Sequence, residues 1–240
     1  MNLCMDVGNT KAKLAVFGKD DKLVADLTSK NVGIRKVGQI NKKYSILSGI
    51  ISSTRNLDPE FIDKVRKLFP LIVLSEQTIV PIQSEYETPA TLGKDRLAAV
   101  VAAYRLYSDE TVLVVDIGTC ITYDIIDRGT YKGGNISPGI HLRIEAMHRY
   151  TDKLPRVPFK INNDIEGKST VKALQNGAFH GTKGEIDSFI REFKKKYASL
   201  KVIFTGGDAQ IMAGSIDFPV EVRPLLVLEG LNEILKYNAA

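Results

Sequence analysis

The sequence predicts an α/β protein built from two duplicated halves, each a mixed sheet flanked by helices. Two observations carry that expectation. Leu3-Cys4-Met5-Asp6-Val7-Gly8-Asn9-Thr10 aligns with Leu113-Val114-Val115-Asp116-Ile117-Gly118-Thr119-Cys120 at an offset of 110 residues, nearly half of the 240-residue chain. Both copies read as an apolar run, then Asp, an aliphatic residue, Gly and a polar turn, and both continue into a second strand, Leu14–Phe17 and Ile121–Ile126.

Taken in order, residues 2–7 form a strand, Gly8-Asn9-Thr10 a turn, and residues 13–17 its hairpin partner, with a third strand at Lys22–Leu27. Residues 45–51 read as a buried strand. Residues 58–69 read as a helix, with Asp58 as N-cap and Pro59 in the first helical position. A short strand at 71–74 precedes a polar loop over 75–94. Asp95 to Tyr107 read as an apolar, alanine-rich helix, and 111–116 as a strand with hairpin partners at 120–126 and 130–132. Helices follow at 139–149, 169–179 and 184–197, the last ending in Lys194-Lys195-Lys196, which reads as a solvated helix end. A strand at 201–205 stops at Gly206-Gly207, and 225–236 is helical. The expected halves are residues 1–110 and 111–240.

Composition excludes several classes. Apolar residues at 44% and charged residues at 25% exclude a disordered or collagenous chain. A net charge of +5 is at most a weak hint of anionic partners, and no DNA-binding motif is recognisable. No apolar run reaches the roughly 18 residues needed to span a bilayer. Two cysteines, Cys4 and Cys120, form no disulfide framework, and Asp6 interrupts the N-terminus too early for a secretory signal. A cytoplasmic protein without membrane or nucleic-acid partners is expected. His141, His148 and His180 lack the companions of a zinc site.

The repeated motif suits a phosphate. Gly8 and Gly118 let backbone N–H groups approach an anion. Asn9, Thr10 and Thr119 add donors, and Lys11 and Lys13 add charge. An aspartate at the strand end, such as Asp6, suits hydrated Mg²⁺. Competing phosphate motifs are absent. Gly167-Lys168-Ser169 looks like the tail of a Walker A loop but lacks its first Gly, and no G-x-G-x-x-G occurs.

Asp6-Val7-Gly8-Asn9-Thr10-Lys11-Ala12-Lys13 resembles the first phosphate loop of the actin, sugar-kinase and Hsp70 superfamily, and in particular that of type III pantothenate kinase. Four further segments resemble the same family. These are Gly93-Lys94-Asp95-Arg96, Val114 to Thr119, Gly133-Gly134-Asn135-Ile136-Ser137-Pro138-Gly139, and Thr205-Gly206-Gly207-Asp208-Ala209; the closing Pro224 to Leu231 also fits. The resemblance implies two duplicated ribonuclease H-like domains of the actin-like ATPase fold, with the nucleotide in the interdomain cleft. The first half carries the first phosphate loop, and the second half the second loop and an adenosine-side motif. It implies ATP-dependent phosphorylation of the 4′-hydroxyl of pantothenate, the first step of coenzyme A synthesis, by a homodimer using Mg²⁺ and a monovalent cation, K⁺ or NH₄⁺.

Carried over to this chain, ATP is held by Asp6, Val7, Gly8, Asn9, Thr10, Lys11, Ala12, Lys13 and Thr119. Tyr86, Gly93, Lys94, Asp95, Arg96 and Thr170 contact pantothenate, Thr170 across the dimer interface. Asp95 is the base. Asp116 is the monovalent-cation ligand, and Asp6 holds Mg²⁺ through water. Cys120 stands where the family often has Ala, and Leu97-Ala98-Ala99 where polar residues are common. The apolar stretch Leu97–Tyr104 exceeds what one small domain exposes, so part of it is expected to pack on a twin.

Ordinary structural roles compete at each position. Asp95 also suits the first turn of a helix as a dipole partner, Arg96 a surface ion pair, Lys13 a solvated hairpin charge, and Asp208 a helix cap. Asp116 suits Mg²⁺ as well as a monovalent ion. Two other functions fit the same fold: a catalytically inactive nucleotide-binding regulator, and a sugar kinase, although such kinases are usually longer.

Overall fold

The computed structural model describes residues 1–239. In chain order its elements are β1 (Asn2–Val7), β2 (Ala12–Phe17), β3 (Leu23–Ser29), α1 (Ile34–Tyr44), β4 (Ser48–Ser53), α2 (Pro59–Arg66), β5 (Leu71–Val73), β6 (Gln83–Ser84) and α3 (Lys94–Leu106). They continue as β7 (Thr111–Ile117), β8 (Cys120–Asp127), β9 (Thr130–Pro138), α4 (Ile140–Arg149), α5 (Thr170–Lys196), β10 (Leu200–Thr205), α6 (Ala209–Ala213), β11 (Glu221–Val222) and α7 (Leu226–Tyr237). The chain divides into two compact units. One comprises residues 1–109, 126–133 and the segment from Leu225 on; the other comprises 110–125 and 134–224.

In the first unit the sheet order is β3-β2-β1-β4-β5. β1–β2 and β2–β3 are antiparallel, and β1–β4 and β4–β5 are parallel. Successive side chains of a strand alternate between faces. Leu3, Met5 and Val7 point to one face and pack with Val37 of α1 and Ile62 and Val65 of α2. Asn2, Cys4 and Asp6 point to the other, where the Asn2 side-chain amide donates to Asn232 Oδ1 of α7 at 2.9 Å. Burial pushes the Cys4 thiol well above its usual pKa, while Cys120 is exposed.

The second sheet has the order β11-β10-β7-β8-β9-β6. Its first five strands, read from β9 to β11, repeat the arrangement of the first sheet position by position. β10 runs parallel to β7 and β11 parallel to β10. The two-residue Gly118-Thr119 link makes β7 and β8 a hairpin, since parallel strands need a long crossover. The core of this unit gathers Leu113, Val115, Ile117, Ile121 and Tyr123 with Ile186 and Ile190 of α5 and Phe204 of β10.

Most expected elements are present. Asp58 caps α2, accepting from the Glu60 backbone N–H at 2.9 Å. Four differences stand out. Helix α1 was not foreseen; Gly33 precedes it without a side-chain cap, and no acidic residue occupies its first turn. The helices expected at 169–179 and 184–197 are one 27-residue helix, α5. Gly177 and Gly184 lie within it, where an added Cβ would touch nothing. β9 runs to Pro138 rather than stopping at 132.

The fourth difference is a correction. Leu97 to Ala103 of α3 are all buried within the chain itself, and α3 packs on α7. A Cβ on Gly230 of α7 would lie 1.8 Å from the Ala98 carbonyl oxygen, so the two helices touch backbone to backbone. The helix is apolar because α7 covers it, and it offers no face to a twin.

Candidate functional site

The first hairpin is built by β1 and β2. Gly8 N–H donates to the Lys11 carbonyl at 3.0 Å, closing a four-residue loop whose Asn9, Thr10 and Lys11 are exposed. In the ladders, Asp6 stands opposite Lys13 of β2 and beside Ser52 of β4. Paired residues share a face, so Lys13, Asp6 and Ser52 form one polar row across three strands at the end of β1. Among the described residues no three His, Cys, Asp or Glu side chains gather as a metal site. A Mg²⁺ at Asp6 would therefore complete its shell with water and phosphate oxygens, which is its usual preference. A cavity of about 440 Å³ opens near Val7, lined by Gly33, Arg55, Asp58, Phe61 and Lys64; Val7 points to the face opposite the polar row.

In the same unit, Gly93 is the residue before α3. The Asp95 carboxylate folds back over it: a Cβ on Gly93 would lie 2.6 Å from Asp95 Oδ1. That oxygen accepts from the Arg96 backbone N–H at 2.9 Å. The Arg96 guanidinium is buried, at 5% exposure. It donates to Tyr131 Oη at 3.0 Å and to Tyr86 Oη at 3.5 Å, and lies 5.6 Å from the Tyr86 ring centre. The Tyr86 and Tyr131 rings stack at 5.8 Å. Arg96 is thus a buried cation braced by two tyrosine hydroxyls rather than a side chain on the surface. Lys94 reaches Glu76 at 4.0 Å.

The sequence reading missed Tyr131. It enters through pairing of β9 with β6, in which Ser84 stands opposite Tyr131, and no local pattern announces it.

The second hairpin, in the other unit, is clamped. Gly118 N–H donates to the Cys120 carbonyl at 3.0 Å, Gly139 N–H to the Thr119 carbonyl at 3.0 Å, and Asp208 N–H to the Ile117 carbonyl at 3.0 Å. A Cβ on Gly139 would lie 2.0 Å from the Gly118 carbonyl oxygen. Gly206, at φ +96°, has its missing Cβ position 2.4 Å from the Ile117 carbonyl oxygen and 2.5 Å from Asp116 Oδ1. Two oxygens thus converge where only glycine leaves room. Thr119 is exposed. Asp208 precedes α6 but makes no side-chain cap; it faces His141 Nε2 at 3.6 Å.

Behind the clamp sits Glu185 of α5. Its carboxylate accepts from Tyr123 Oη at 2.7 Å, from Arg143 at 2.5 Å and from Ser137 Oγ. Arg143 Nε also donates to the Pro138 carbonyl at 2.8 Å, next to Gly139. Burial alone would raise the Glu185 pKa, but the donors Ser137, Arg143 and Tyr123 outweigh it and hold it below the usual value. Burial, then the bond to Glu185, pushes the Tyr123 hydroxyl far up. Thr170 opens α5 and is exposed, while the neighbouring Ser169 is its cap, accepting from Lys172 N–H at 3.3 Å.

Comparison with known proteins gives a consistent answer. The family model of type III pantothenate kinase matches residues 2–192. A type III pantothenate kinase of Phocaeicola vulgatus is 42% identical over 240 residues, covering 99% of both chains. One from Bacteroides fragilis is 38% identical, covering 99% of this chain and 98% of its own. Among solved structures, a conserved putative Baf family transcriptional activator from Campylobacter jejuni superposes with a TM-score of 0.63 at 26% identity, covering 99% and 98%. A putative 2-dehydro-3-deoxygalactonokinase from Sinorhizobium meliloti, at 11% identity and TM-score 0.60 with 100% and 98% covered, shows the fold alone. The duplicated ribonuclease H-like architecture of the actin-like ATPases is therefore the fold of this protein. With the family model spanning most of the chain and relatives of this identity along its full length, the chain belongs to the type III pantothenate kinase family.

Proposed function

We propose that the chain transfers the γ-phosphoryl group of ATP to the 4′-hydroxyl of pantothenate, opening coenzyme A synthesis in the cytoplasm. The observation that carries the mechanism is the start of α3, where Asp95 is folded over Gly93 beside a buried arginine. Phosphoryl transfer passes through a loose transition state, so positioning and charge neutralisation supply most of the catalysis. Asp95 orients the attacking hydroxyl and accepts its proton. Arg96, braced by Tyr86 and Tyr131, pairs with the substrate carboxylate, and Gly93 and Lys94 complete that wall.

Asp6 to Lys13 and Thr119 hold the ATP phosphates, and Asp6 takes the metal through water. Mg²⁺, when bound, neutralises charge developing on the phosphate oxygens. In functional terms residues 1–110 supply the first phosphate loop and the acceptor pocket. Residues 111–240 supply the second loop and the adenosine side. Asp116 takes a monovalent cation: its carboxylate stands near the end of β7 beside the Gly118 turn, where backbone carbonyls would complete an oxygen shell. Equal activity in Na⁺, K⁺ and NH₄⁺ at matched ionic strength would remove that role.

The active species is a homodimer. Support comes from exposed apolar side chains around the start of α5, Ile165 in the preceding loop at 68% and Val171 at 42% exposure, near Thr170, the residue proposed to reach a neighbour's pantothenate. An active monomer in sedimentation at assay concentration would end this reading.

The test of function is a coupled assay of ADP release with and without pantothenate. ADP release that depends on pantothenate is expected. Nucleotide binding with no turnover would favour the inactive regulator instead.

A further inference from the structure

Ser52 follows Ile50 and Ile51 near the end of β4. It is fully buried, and its hydroxyl has no hydrogen-bond partner among the described residues. A buried hydroxyl left unpaired is unfavourable, and alanine in the same place would remove the problem without opening a void. Its place in the ladder is specific: it pairs in parallel register with Asp6 and therefore shares that residue's face.

The second unit repeats this juxtaposition. Thr205 of β10 is buried and pairs in parallel register with Asp116 of β7. β4 and β10 occupy the same position in their sheets. A buried hydroxyl beside the motif aspartate thus occurs twice, in strands whose sequences, SGIISS and LKVIFT, otherwise differ.

We propose that Ser52 is a second holder of the metal's water shell: its oxygen accepts a hydrogen bond from a water bound to Mg²⁺ at Asp6. The chemistry of the ion asks for such a group. Mg²⁺ keeps several waters when carboxylates are few, and each bound water presents two polarised hydrogens that need acceptors. One carboxylate cannot serve them all, and a hydroxyl oxygen has two lone pairs to offer. Asp6 lies between Lys13, which can only donate, and Ser52, which can accept. The inference rests on the reading of Asp6 as the residue facing the metal.

Calorimetry of a non-hydrolysable ATP analogue with an NH bridge between its β- and γ-phosphates, in Mg²⁺ and in EDTA, tests it on Ser52→Ala with Asp6→Asn as control. Outer-shell substitutions typically weaken metal affinity about 10–100-fold. The expected result is affinity about tenfold weaker in Mg²⁺, unchanged in EDTA, and a ligand-free thermal midpoint equal to or above that of the wild type. Unchanged affinity in Mg²⁺, an equal loss in EDTA, or a midpoint several degrees lower would each overturn the role. If Asp6→Asn loses the Mg²⁺ dependence while Ser52→Ala keeps it, only this inference fails. If neither variant alters it, the reading of Asp6 fails as well.

Discussion

The two hairpins that open the two sheets have the same strand order and motif, yet they are held very differently. The first loop, Gly8 to Lys11, is closed by one internal hydrogen bond and is exposed; the nearest atom to a Cβ on Gly8 is the Lys11 carbonyl oxygen at 3.1 Å. The second, Gly118-Thr119, is gripped from two sides, by Gly139 and by Gly206 with Asp208. A duplicated motif has diverged into a loop with room to adapt and one built to a fixed shape. On the proposed mechanism the first unit also holds the acceptor chemistry at Asp95, while the second supplies rigidity. Substitutions on the two sides should therefore fail in different ways.

The largest effect is expected at Asp95. Asp95→Asn keeps the shape, and Asn still suits a helix start. General-base contributions run about 10²–10⁴-fold, so kcat should fall by that factor, roughly 3–5 kcal/mol. ATP affinity and the thermal midpoint should hardly move. A near-wild-type kcat on purified protein would reduce Asp95 to a helix-start residue.

Next comes Gly139→Ala, on the rigid side. The new methyl would collide with backbone rather than a movable side chain. The cost should be about 3 kcal/mol, seen in calorimetry as a midpoint lower by roughly 6–12 °C. A midpoint within 2 °C, about the effect of half a kcal/mol, would mean the clamp is softer than it looks.

Glu185→Gln probes the support behind that clamp through pH. A carboxyl held below its usual value in the folded chain contributes stability above roughly pH 4.3, and the contribution is lost as pH falls through the depressed pKa. The wild type should therefore lose more stability than Glu185→Gln between pH 7 and pH 4. At pH 7 the variant should be weaker by about 1.5–3 kcal/mol, the range for hydrogen bonds to a charged group. Parallel pH profiles for the two proteins would refute this.

The smallest effect is expected at Gly8→Ala. Gly8 has an ordinary φ, so restricting the unfolded chain should return about 0.4–1 kcal/mol against the 3.1 Å squeeze. Stability should be nearly unchanged while the ATP KM rises. A loss matching Gly139→Ala would erase the contrast between the hairpins.

Much of this was legible in the chain. Strand-Asp-x-Gly followed by a strand is a local pattern, and so are Pro59 after a capping Asp and the alanine-rich α3. Long-range pairing was not legible. Tyr131 reaches Arg96 only because β9 extends beside β6, and Ser52 meets Asp6 only through a parallel crossover. Gly139 reads only as the start of a helix and the end of a family motif, while its importance lies in its backbone contact with Gly118. The sequence reads as two helices with a gap at 180–183, where α5 runs on unbroken past Gly177, Gly181 and Gly184. Glycine in a helix interior costs only about 1 kcal/mol, less than the burial of Leu174, Phe179, Ile186 and Ile190 returns. The apolar Leu97–Tyr104 was misread as a surface because its cover, α7, lies more than a hundred residues away.

That backbone contact between Gly230 and Ala98 also sets a schedule for biosynthesis. The helix that completes the first unit is translated only after the 115 residues of chain from Glu110 to Pro224. Ribosomes add about 5–20 residues per second, so the α3 surface waits roughly 6–23 s in the nascent chain before its cover emerges. During that interval the alanine-rich α3 depends on the ribosome and chaperones for protection, and a premature stop before α7 would leave it bare.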